Sequence, residues 1–124
     1  MKHHKLAVLF IAFTILLSAT ARDAVSEEPA HEETCLVASR IQAFQESQNS
    51  KTPAQIRFIN ETDETVSVFW MDFNGDTVKY ASLAPGQQYL QRTYLTHPWQ
   101  VVAPSRCIAF FLPRPGTTAA RINY

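Results

Sequence analysis

The chain has 124 residues, 46% hydrophobic and 18% charged, the size and composition of a single globular domain. Its 11 Lys and Arg balance 11 Asp and Glu, which argues against a nucleic-acid binder that works through a dense basic surface.

Residues 1–21 read as a secretory signal peptide. Lys2 and Lys5 precede an apolar run from Leu6 to Leu17 broken only by Thr14, and Ser18-Ala19-Thr20-Ala21 offers small residues for cleavage. The run is shorter than the roughly 20 apolar residues of a membrane-spanning helix, so an uncleaved anchor is the lesser alternative. No cysteine follows it to carry a lipid. The expectation is a secreted or periplasmic chain beginning at Arg22, slightly acidic once Lys2 and Lys5 are lost, with no stable membrane span.

Residues 22–34 carry Asp23, Glu27, Glu28, Glu32 and Glu33 with Pro29 and no periodic apolar face. They read as a flexible acidic leader, and His31 among these carboxylates as part of a solvated tail with no metal bound. The domain proper spans 35–124. From Cys35 to Gln45 the apolar residues Val37, Ile41 and Phe44 recur at helical spacing, which predicts one short helix before Pro53.

From residue 55 the pattern is β. Strands are expected at 55–59, 65–72, 77–82, 88–94, 99–102 and 107–112. Asn74-Gly75 is the strongest hairpin signal, because both residues tolerate positive φ, and Pro85-Gly86 suits a type II turn. Short strands at this spacing predict an all-β fold, a small antiparallel sandwich preceded by one helix. Cys35 and Cys107 flank it. In an exported chain the pair implies a disulfide, the alternative being two buried thiols. Closing a loop of about 70 residues is worth about 4 kcal/mol in the chain-entropy model.

Catalytic constellations are poor. His31 and His97 are the histidines beyond the signal, so a Ser-His-Asp arrangement would need His97, with Asp72 and Thr93 as the nearest candidates. The glycines Gly75, Gly86 and Gly116 sit singly, which excludes a glycine-rich phosphate cradle, and no second histidine supports a metal site. Neither an enzyme nor a cofactor is expected. Trp70, Tyr80, Thr93, Tyr94, His97 and Trp99 instead form an aromatic and polar set suited either to a ligand groove or to filling a small core.

The stretch from Ser47 to Trp99 resembles the von Hippel–Lindau β-domain family without a gap. The resemblance is carried by Ser47-x-Asn49-Ser50-x-x-Pro53-x-Gln55, the strand Ile56 to Asn60, and Trp70-x-x-Phe73-x-Gly75. It continues through Tyr80-x-x-Leu83-x-Pro85-Gly86 and Thr93-Tyr94-x-x-His97-x-Trp99, with Cys107 to Pro113 as a further strand. It resembles in particular the small exported proteins that carry this β domain alone. The resemblance implies an antiparallel sandwich with a short helix, and a site that takes a 4-hydroxyproline in an extended peptide, as in recognition of the hypoxia-inducible factor. Trp70, Tyr80 and Trp99 would line the ring, His97 and Thr93 (a serine in the family) would meet its hydroxyl, Tyr94 would lie beside the pocket, and Asn49 would meet peptide backbone. A family histidine is replaced by Arg92. The family's helical domain, which docks elongin and a cullin ligase, has no counterpart before Tyr124, so that partner is not expected.

The leading expectation is therefore an exported, non-enzymatic module for an extended peptide. The alternatives are a structural or interaction domain of the envelope and a small hydrolase using His97. Asn60-Glu61-Thr62 is also a glycosylation sequon, of use only in a eukaryotic secretory pathway.

Overall fold

The computed structural model describes residues 27–124; the expected signal peptide at 1–21 and the first residues of the expected leader lie outside this range. The chain runs through β1 (Glu28–Pro29), β2 (His31–Thr34), a one-turn helix α1 (Cys35–Ala38) and a single 3₁₀ turn at Gln42–Phe44. It continues through β3 (Pro53–Asn60), β4 (Val66–Met71), β5 (Thr77–Leu83), β6 (Gln88–Tyr94), β7 (Trp99–Ala103), β8 (Arg106–Leu112) and β9 (Gly116–Ile122). Two sheets form, in strand order β1-β9-β3-β6 and β2-β8-β7-β4-β5.

The core follows from alternation. Ile56 and Phe58 of β3 point inward with Val66 and Val68 of β4, Trp99 and Val101 of β7, and Ala109 and Phe111 of β8. Phe58 lies near the middle, its ring centroid 5.8 Å from Trp99, 6.1 Å from Tyr89 and 6.2 Å from Phe111. Two sheets that each bury one face against the other make the sandwich expected from the strand pattern.

Four expectations change. The acidic segment is not a flexible leader over 28–34: β1 pairs with β9 and β2 with β8. Both strands lie at sheet edges, where backbone pairing needs no apolar face and charged side chains stay in water. The helix is shorter than its periodicity implied. Thr34 Oγ1 caps it by accepting from Val37 N–H, the chain leaves helical geometry by Ile41, and Val37 is 42% exposed. A further strand, β9, runs parallel to both β1 and β3, so the four-stranded sheet is mixed and only the five-stranded sheet is antiparallel throughout. Thr118, Ala119 and Ala120 are buried in succession there, which erases the alternation that marks a half-buried strand.

The fourth change concerns a turn. Only Gly75 takes positive φ at the β4–β5 connection, and Asn74 does not. Asp72 organises the loop instead, its Oδ1 accepting from the N–H groups of Asn74 at 2.8 Å and Asp76 at 2.9 Å. Pro85-Gly86 behaves as expected: Gly86 has φ +81 and Gln87 N–H closes the turn on Ala84 C=O.

Asn60 is fully buried and uses its whole amide. Nδ2 donates to the carbonyls of Glu64 and Leu83, and Oδ1 accepts from Thr62 N–H and Oγ1. Both amide hydrogens are committed, so in the folded domain the sequon is a structural turn and no glycan site. Asn60→Ala should lower stability by at least about 2 kcal/mol in urea unfolding, because several buried groups lose partners together.

Cys35 and Cys107 are joined, 72 residues apart, tying α1 to β8. A Cys35→Ser/Cys107→Ser variant should lose about 2–5 kcal/mol in the same measurement; an unchanged midpoint would show the staple idle.

Candidate functional site

β5 and β6 are edge strands of opposite sheets, and a groove of about 330 Å³ opens between them. Trp70 and Phe73 stand on the β4 side, Tyr80 on β5, Gln91 to Tyr94 on β6, His97 on the connection into β7 and Trp99 at the start of β7. Six of the seven proposed site residues therefore converge. Asn49 lies just outside, in an adjoining depression that it shares with Lys51, Phe73, Tyr94 and His97.

Each side chain is placed by a local feature. The β4–β5 register shifts between Val68 and Phe69, which pair with Ala81 and Lys79, so Tyr80 is the extra residue of a bulge. A bulge re-aims the side chain it carries. The Tyr80 ring accordingly lies 5.0 Å from Trp99 and 6.3 Å from Trp70, edge-on to both. Trp99 is only 2% exposed, and its Nε1 donates to Thr93 Oγ1 at 3.0 Å. Thr93 thus spends one acceptor site on Trp99 and retains its hydroxyl hydrogen.

The loop bearing His97 is closed by its N–H to Tyr94 C=O, and Met71 N–H bonds Pro98 C=O. Ser47 and Gln48 clip this loop to the β4 side. Ser47 N–H meets Asp72 C=O, Ser47 Oγ donates to Met71 C=O, and Thr96 Oγ1 donates to Gln48 C=O. The imidazole faces rings: Phe73 and Tyr94 at 5.3 Å and Trp70 at 5.6 Å. Burial lowers its pKa below the usual value, with a backbone contact from Gln48 opposing, so it is neutral at pH 7. The triad weighed for His97 is not assembled, because the Asp72 carboxylate caps its own turn and Thr93 bonds Trp99. Trp70 Nε1 is buried without a hydrogen-bond partner among the described residues.

Phe73 and Gln91 complete the wall without having been singled out as site residues. Phe73 stood within the motif beside Trp70, three positions on; Gln91 gave no signal in the sequence.

The backbone of β6 adds a second element. Leu95 N–H bonds Thr52 C=O and Asn60 N–H bonds Gln87 C=O, which fixes the alternation of the β3–β6 ladder. The backbone groups of Arg92 and Tyr94 consequently point away from β3, along the free edge. Gln91 Nε2 caps the Arg92 carbonyl at 2.6 Å.

The family model of the VHL beta domain matches residues 45–103. That match supports assigning this stretch to the VHL beta domain family. The matched stretch holds the whole aromatic groove and Asn49, while β1, β2, α1, β8 and β9 lie outside it. The VHL beta domain is a protein-binding domain, and the groove and the free edge of β6 are features that such a role can use.

The lowered pKa of His97 has a consequence for stability. The unfolded chain takes up a proton at higher pH than the folded one. Its contribution is therefore full above about pH 6.5 and falls as pH drops below that value. Urea midpoints should decline from pH 7 to pH 5.5, and His97→Gln should flatten that part of the decline.

Proposed function

We propose that this VHL beta domain is an exported, non-enzymatic module that binds an extended peptide along β6 and seats a 4-hydroxyproline ring in the aromatic groove. One observation carries the reading: the groove opens directly beside the unpaired backbone edge of Arg92 and Tyr94. Main-chain pairing gives such a peptide affinity, and a side-chain pocket gives it selectivity.

Geometry favours a proline at one register. In antiparallel addition, the peptide residue opposite Arg92 exchanges hydrogen bonds with β6, displacing Gln91 Nε2, and its neighbour opposite Thr93 does not. That neighbour points its side chain toward the groove, and its nitrogen faces away from β6. A proline there forfeits no ladder bond. Trp70, Tyr80 and Trp99 offer apolar faces for the ring, and neutral His97 with the Thr93 hydroxyl offers polar partners for a 4-hydroxyl. The disulfide supports export, since such bonds persist in oxidising compartments. No helix among the described residues is long and apolar enough to cross a membrane.

Calorimetry with matched proline and 4-hydroxyproline peptides tests the reading. The hydroxylated peptide should bind more tightly, and His97→Ala should weaken it about five- to a hundredfold, the range for a buried hydrogen bond of 1–3 kcal/mol. The same variant should leave the unhydroxylated peptide nearly unaffected. Equal affinity for both peptides, or no binding to either, would remove the hydroxyproline reading.

A further inference from the structure

We infer that the bound peptide carries an acidic residue next to the groove-seated proline, recognised by Arg92 and Gln55 on the outer face of the four-stranded sheet. The inference deepens the peptide reading and rests on it.

Three polar side chains form one row across this face. Gln55 on β3 pairs with Arg92 on β6 and with Thr117 on β9. Their strand neighbours Ala54, Ile56, Thr93 and Thr118 are buried, so the row faces outward. Gln55 and Arg92 form a non-hydrogen-bonded pair of the ladder, in which facing side chains come closest.

The chemistry of the row is one-sided. Thr117 Oγ1 donates to Gln55 Oε1 at 3.0 Å, which fixes the amide and leaves its NH₂ to donate elsewhere. Arg92 has no ion-pair partner among the described residues, whereas Arg57, two positions along β3 from Gln55, is paired with Glu27. A depression of about 490 Å³ lies against the row, with Pro53 and Gly116 also in its lining, and none of its lining residues carries a carboxylate. It shares Arg92, Thr93 and Tyr94 with the aromatic groove, so the two adjoin at β6. A guanidinium and an amide NH₂ without a local acceptor match a carboxylate.

The pleat sets its position. Successive residues of a strand point to opposite faces. If the proline opposite Thr93 points into the groove, the residue opposite Arg92 points to the outer face, beside the guanidinium. The acidic residue is therefore an immediate neighbour of the proline. Arg92 stands where the family has a histidine, so this preference belongs to a departure of this chain from its family.

The test uses the purified protein and three peptides with a central hydroxyproline, both neighbours being Ala, Glu or Lys. Fluorescence anisotropy should rank Glu tightest, about three- to tenfold over Ala, and Lys weakest, with the spread shrinking at high salt. Arg92→Gln should remove the spread, and Gln55→Glu should invert it. If the Ala peptide binds but Glu and Lys bind alike, or if Arg92→Gln keeps the preference, the acidic inference falls and the peptide reading stands. If none of the three binds, both fall.

Discussion

A buried hydrogen bond from Trp99 Nε1 to Thr93 Oγ1 ties the two sheets together beside the groove. Trp99 belongs to β7 in one sheet and Thr93 to β6 in the other, so the bond crosses the sandwich at its open side. A buried indole N–H must be paired, and the hydroxyl that satisfies it also sets how closely β6 approaches β7. The same ring meets Phe58 on its core side and Tyr80 on its groove side. Core packing and the site thus share one residue. A substitution at Trp99 cannot alter one without the other.

The sheet pattern was legible because alternation survives where one face is buried: β3, β4 and β7 read clearly through Ile56, Phe58, Val66, Val68 and Val101. Tyr80 shows where alternation stops being a guide. Its inward aim depends on a bulge, and an extra residue in a ladder leaves no mark in local composition. β9 escaped for a related reason, since Ala119 and Ala120 have small side chains and no polar alternation to frame them. The site residues converged because a motif spread over several turns constrains space far more tightly than periodicity does. Periodicity alone would have left Trp70, His97 and Trp99 as core candidates.

The acidic N-terminal stretch illustrates a different limit. Glu28, His31, Glu32 and Glu33 look unfit for order by hydrophobicity, yet they occupy edge strands. Edges invite pairing with other molecules, and charged side chains along β1 and β2 discourage it. β6 is protected more lightly, by the Gln91 side chain on the Arg92 carbonyl. The other edges differ: β1 and β2 carry charge, and β5 carries its bulge.

The placement of β9 bears on how the chain reaches its native state. Residues 116–122 occupy an interior position between β1 and β3, so the four-stranded sheet has a gap until that segment arrives. Strands 28–29 and 53–60 cannot complete their pairing while the later residues are still being synthesised. Contacts of such wide sequence separation make for slow folding, because loop closure must precede any reward from pairing. A chain that cannot finish its sheet early stays unfolded longer after synthesis, and until β9 arrives the strands it will join keep backbone edges open to other chains.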